Sequence, residues 1–243
     1  ISAADLKAYC KEAGLKLTAK KSELAAQVRT HNPDAAIWDD ILAAFERRVH
    51  EARAEIIKRG DLDEIRRAAA TIAVNPHLSR AFSGGAAEVS VFWRDRETGV
   101  PLKARFDYVK PSAILDLKRI ANERARRFED ACFRAIADYR YDIQAAHYLD
   151  GWAAFWQAAV EGRVEGRCPL PDGWETHLAE PDAARFVWVF HQAVGAPVSR
   201  AFDIAPDHPQ LHRARREIAA AKRLYADSLR QFGTSPWVTA DPI

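Results

Sequence analysis

The stretch 87–118, AEVSVFWRDRETGVPLKARFDYVKPSAILDLK, decides how the rest of the chain is read. It contains three runs rich in β-branched and aromatic residues, at 87–95, 101–109 and 113–118, separated by the turn sequences RETGV and KPS. Turns this short predict that successive strands are antiparallel neighbours. Side chains two apart on a strand share a face, so Asp116 and Lys118 are expected to project together while Leu115 and Leu117 go to the opposite, core side. A hairpin through VKPS would then bring Asp107 beside Asp116.

Helical periodicity surrounds these strands. Upstream, 37–58 carries Ile41, Phe45 and Val49 as an apolar stripe expected to be core. Gly60 is placed to end that helix, and Asp61 to cap the next, which runs to about Val74. Downstream, Phe128 to Val160 reads as one long helix. A strand pair at 184–192 and 197–204 follows, and a last helix runs from His208 to Phe232. The predicted class is α+β, a mixed central sheet flanked by helices, with an N-terminal helical region.

Residues 1–34 read as two short helices. Leu6 and Tyr9 are apolar positions on the first, Leu24 and Val28 on the second, Gly14 ends the first and Thr18 caps the second. Asn32-Pro33-Asp34 punctuates a linker. The expected division is therefore 1–34 and 35–243, the latter with a helical lead-in over 35–85 and a core over 86–243.

Composition narrows the function. The formal charge of the 243 residues is only +2, yet basic residues cluster at Lys20 and Lys21, at Arg119 to Arg127 and at Arg213 to Arg216, which keeps a polyanionic partner in view. No apolar stretch is long enough to cross a bilayer, and the first residues lack the basic flank and apolar run of a secretory signal, so a cytoplasmic location is expected. The cysteines Cys10, Cys132 and Cys168 are too scattered for a metal knuckle or disulfide framework and are expected to be reduced and structural. The tryptophans Trp93, Trp152, Trp156 and Trp188 sit at apolar positions expected to be core.

Two carboxylates held close repel, an arrangement that a divalent cation between them resolves. Oxygen ligands suit Mg²⁺ or Mn²⁺, and Asp107, Asp116 and the Leu117 backbone carbonyl are the expected ligands; Glu88, at the start of the first strand, is either a further acid approaching that set or an edge-strand surface glutamate. Lys118 would add a point charge beside the ion, able to orient a water and to stabilise charge growing on phosphorus. Gln144 and Tyr148, at i and i+4, share one helix face. Arg119, Arg124 and Arg140, with Lys20 and Lys21 at the N-terminal end, are candidate DNA phosphate contacts. His191 and Gln192 end their strand near the same cleft, where a structural role is the simpler reading.

The ordered set of Asp107, then Asp116-x-Lys118, then a helix with Gln144-x-x-x-Tyr148, resembles the PD-(D/E)XK nuclease superfamily, and within it the phage-type, RecE-like (exodeoxyribonuclease VIII) exonucleases. The likeness extends from about Ile37 to the final FGTSPWV, and residues 1–34 resemble a SAP-like module. The resemblance implies a restriction-endonuclease-like core and metal-dependent hydrolysis of linear duplex DNA in phage recombination. It also implies a single-strand annealing protein as partner and a ring-shaped homo-oligomer. It places Gln144 and Tyr148 at the cleft, touching substrate or orienting catalytic groups; the alternative is that they only anchor their helix on the sheet. Relatives carry threonine where Arg119 stands, and a histidine on an N-terminal helix that has no match here and is expected to lie upstream of residue 1. A DNA-binding recombination scaffold that keeps the fold without activity is the alternative. A surface ion pair between Asp116 and Lys118 is the bland one.

Overall fold

The computed structural model describes residues 1–2, 4–17, 20–122, 124, 126–165 and 173–234. Thr18, Cys168 and the segment from Ser235 onward, which holds most of FGTSPWV, lie outside the described residues. The chain divides into two compact units, Ile1–Leu62 and Asp63–Ile243.

In the first unit, α1 (Asp5–Glu12) and α2 (Lys21–His31) pair through Leu6, Cys10, Leu24, Ala25 and Val28, with Ile37 completing the core. Gly14, at φ 66°, turns the chain after α1 in the left-handed conformation that glycine adopts without penalty. Helix α3 (Trp38–Ala52) departs from expectation in two ways. It ends at Ala52, with Arg53 left-handed, rather than at Gly60, which lies inside the first turn of α4 (Arg59–Val74), as does Asp61. And none of its residues is buried: Ile41 and Phe45 of the predicted core stripe are exposed. Periodicity reports that a face is apolar, not that an element covers it.

The second unit is built on a sheet of order β1-β2-β3-β4-β5: β1 (Ala86–Arg94), β2 (Pro101–Lys110), β3 (Ala113–Ile120), β4 (Arg185–Gln192) and β5 (Ser199–Ile204). All neighbours are antiparallel except β3 and β4, which makes the sheet mixed and the class α+β. A parallel neighbour requires a crossover, supplied by α5 (Phe128–Asp138) and α6 (Tyr141–Val160). These are two helices, not the single one expected. The break falls at Tyr139 and Arg140, where Arg140 takes a left-handed backbone (φ 52°).

The main core lies between one sheet face and α5, α6 and α7 (Pro209–Phe232). Trp152, Phe155, Phe106, Phe186, Phe190 and Trp188 fill it. Helix α6 is apolar around most of its circumference, as a helix buried on several sides must be. Gly151 lets it settle on the sheet, because a Cβ there would meet the Trp93 ring at 3.0 Å. The opposite face is covered by Ile72 of α4 and by Leu78, which pack on Leu115 and Val189. Helix α7 starts with His208 as cap, its Nδ1 accepting from the Gln210 N–H at 3.2 Å, and with Pro209 in the first turn.

Candidate active site

Strands β2 and β3 pair from Lys110↔Ala113 to Tyr108↔Leu115, and the ladder stops there, while β1–β2 and β3–β4 pairing continues on either side. The sheet therefore opens where register would set Asp107 opposite Asp116. With no backbone acceptor across the gap, the Leu117 N–H donates instead to Asp107 Oδ2 at 2.9 Å. A side chain thus closes the ladder that the backbone leaves open, which satisfies a donor that would otherwise need water.

Asp116 is 1 % exposed. Both its oxygens are engaged: Gln144 Nε2 of α6 donates to Oδ1 at 2.8 Å, and Lys118 Nζ stands 2.6 Å from Oδ2. Lys118 in turn lies over the Tyr141 ring, 4.6 Å from its centroid, so the ammonium is fixed between a carboxylate and an aromatic face. Burial pushes the Asp116 carboxyl above its ordinary range; the Lys118 and Gln144 contacts oppose this, and the Asp107 charge reinforces it.

Of the residues singled out by sequence, Asp107, Asp116, Leu117, Lys118 and Gln144 come together. Tyr148 shares the Gln144 face but packs into the aromatic core, its ring centroid 5.4 Å from Phe106 and 6.0 Å from Phe186. The expectation for Leu117 fails, since it is 43 % exposed. The main core lies on the Asp116 side of the strand, and only Leu115, under α4, is buried on the other. Glu88 stands opposite Asp107 by register, but its left-handed backbone (φ 57°) accompanies an ion pair to Arg105, 2.5 Å away.

Arg119 alternates to the face away from Asp116 and pairs with Glu64 at 2.6 Å. His191 opposes it in register, its pKa lowered by burial and by that guanidinium. Arg140 is held by Asp142, which is buried, and by Glu217 at 2.9 Å, a set of contacts that fixes the α5–α6 corner. Arg124 is exposed. Lys20 and Lys21 belong to the first unit, beside Glu23 and Asp39 respectively.

Sequence reasoning missed Tyr141 as the seat of Lys118. It also missed the loop clasp in which Asn122 Oδ1 accepts from Arg126 N at 3.1 Å and Asn122 Nδ2 donates to Arg126 O at 2.7 Å. An aromatic three positions before Gln144 on the same helix was the available signal for the first.

Among the described residues no group of three His, Cys, Asp or Glu side chains is placed to hold a metal ion, and no helix is long and apolar enough to cross a membrane. The pair Asp107 and Asp116 still fits a hard divalent ion of the Mg²⁺ type. Such an ion keeps several waters and needs only one or two protein carboxylates, and the adjacent negative charges already act on each other.

No curated protein matches the chain. A crystal structure of a presumed exonuclease from Eubacterium rectale aligns over 100 % of this chain and 90 % of that one, at 15 % identity and a TM-score of 0.49. Residues 41–162 match the family described as a PDDEXK-like domain of unknown function (DUF3799). That span is half of the chain and holds Asp107, Asp116, Lys118 and Gln144, so the protein belongs to this PDDEXK-like family.

Proposed function

We propose that the protein is a divalent-metal-dependent deoxyribonuclease hydrolysing phosphodiester bonds, and specifically an exonuclease acting on linear duplex DNA. The observation that carries this is the buried Asp116, gripped by Lys118 and Gln144 and set beside Asp107 at the opening between β2 and β3. A carboxylate so deeply buried is costly to retain for stability alone. Here it is aligned with a second carboxylate and a restrained ammonium, an oxygen-rich, positively bordered site suited to a phosphate group.

Asp107, Asp116 and the Leu117 carbonyl would hold Mg²⁺ or Mn²⁺, which when bound supplies Lewis-acid charge and a nucleophilic water at neutral pH. Gln144 fixes the rotamer of Asp116. Lys118, braced on Tyr141, presents its charge to phosphate oxygens and stabilises the negative charge that develops on them. The proposal extends, on the resemblance of the motif set, to phage or prophage recombination, with a single-strand annealing partner and a ring assembly.

The test is digestion of end-labelled linear and closed circular duplex DNA with Mg²⁺, Mn²⁺ or EDTA. Loss of linear DNA alone, dependent on the cation and abolished in Asp116→Ala, is expected. Cutting of circles would replace the exonuclease with an endonuclease. Inertness with every cation would leave a DNA-binding scaffold of the same fold.

A further inference from the structure

A cleft of about 650 Å³ adjoins the site and shares Tyr141 with it. Arg124, Arg126 and Arg134 line it, with Asp138 the one carboxylate among its described lining residues; Arg119 also borders it, but its guanidinium is paired with Glu64. At its rim stands Tyr139, 69 % exposed, stacked on Tyr141 at 5.6 Å between centroids and 27° between planes. Resting on the proposed nuclease reading, we propose that this cleft is a binding subsite for single-stranded DNA, in which a base stacks on Tyr139 and the arginines hold the flanking phosphates.

Three features favour one unpaired strand over a duplex. The volume is in the range of pockets that take one small ligand, roughly 300–1,000 Å³, which accommodates a nucleotide or two but not the width of a double helix. A tyrosine with an open face binds a base whose own face is open, and duplex bases offer none except at an end. Arginines interleaved with aromatic rings are the chemistry of single-strand grooves, where guanidinium groups track phosphates and rings take bases without regard to sequence.

The stack also has a direction. Tyr139 lies on Tyr141, and Tyr141 carries the Lys118 ammonium on its ring, so a strand seated on Tyr139 is continuous with the Asp116 centre. The corner that makes this possible is the left-handed Arg140, which separates α5 from α6 and is locked by Asp142 and Glu217. The Asn122–Arg126 clasp fixes the opposite wall.

The experiment measures binding in EDTA, where no metal-dependent cleavage occurs, using a short single-stranded oligonucleotide containing 2-aminopurine. Wild-type protein is expected to bind it and quench its fluorescence. Tyr139→Ala should lose the quench and weaken binding by about five- to hundredfold, the worth of one stacked base. Tyr139→Phe should retain both within about twofold. Arg134→Ala should weaken binding and reduce the slope of log affinity against log salt by about 0.7.

Unchanged affinity and quench in Tyr139→Ala would overturn the subsite, as would blunt duplex binding better than single strand. A wild-type protein that binds and quenches but cuts nothing with any cation would refute the nuclease reading alone. One that cuts with no single-strand binding would refute the subsite alone.

Discussion

Gln144 Nε2 donates to Asp116 Oδ1 across 2.8 Å, joining the first turn of α6 to the middle of β3. The bond matters because Asp116 is 1 % exposed: Gln144 supports one oxygen and Lys118 the other, and losing either contact leaves a largely desolvated acceptor without its protein partner. Gln144→Leu should therefore cost about 1–3 kcal/mol in a urea titration at pH 7 and sharply reduce DNA cleavage. Gln144→Glu should be worse than leucine on both counts, because it sets a like charge against Asp116.

The Lys118–Asp116 pair gives a sharper test, since its two members depend on each other. Lys118→Met removes the counter-ion of a buried carboxylate and should destabilise by about 3 kcal/mol. Asp116→Asn in the same chain should recover much of that loss, a coupling a double-mutant cycle reads directly. The pH dependence has a defined sign. The folded pKa of Asp116 is raised, so the fold favours its protonated form, and the group's contribution to stability falls as pH rises from the ordinary aspartate range through that raised value. Lys118→Met should steepen this fall, measured by denaturation from pH 4 to 8, and the double variant should abolish it.

Much of this arrangement was legible in the sequence because it depends on local rules. The three strands followed from residue type and short turns, and the two-residue spacing of Asp116 and Lys118 put both on one face. What the sequence did not disclose depends on what lies opposite an element. Leu117 and Ile41 are apolar, but no described residue of their own units covers them, and they are exposed. The corner at Tyr139–Arg140 was invisible because neither residue is a helix breaker; the turn is held by the Arg140 contacts to Asp142 and Glu217, and the second of these partners is distant in sequence. Glu88 joined the metal acids through the family resemblance, with a surface role as the alternative, whereas its left-handed backbone and its Arg105 partner are tertiary facts.

Cys132 is fully buried among the core residues under α5, and burial pushes its thiol up to about 12, with Glu129 adding to the shift. The thiolate is the reactive species. Ellman's reagent at pH 8 should leave Cys132 unlabelled in the native protein and react with it promptly in denaturant, as a structural thiol requires. Prompt native labelling, located by peptide mapping, would contradict the packing of α5 on the sheet.

Asp95 closes the β1–β2 hairpin and also anchors α7. Its Oδ2 accepts from the Thr98 N–H at 2.9 Å and the Thr98 hydroxyl at 2.7 Å, and its Oδ1 receives the Lys222 ammonium. Both side chains of the ion pair are largely buried, and the Lys222 contact, assisted by Thr98, draws the Asp95 pKa down to about 2. A depressed carboxylate stabilises the fold at any pH above its unfolded value, and that contribution is lost as pH falls from about 3.8 towards 2. Asp95→Asn should thus lower stability at pH 7 by roughly 1–2 kcal/mol after allowance for solvent screening, and the difference from wild type should shrink as guanidinium titrations are carried down through that window. Lys222→Met should lose a similar amount at pH 7. The double variant should lose less than the sum, because each single change already removes the bond that ties α7 to the hairpin. Strict additivity would mean that the two residues stabilise the fold independently and that the hairpin holds its place without the helix.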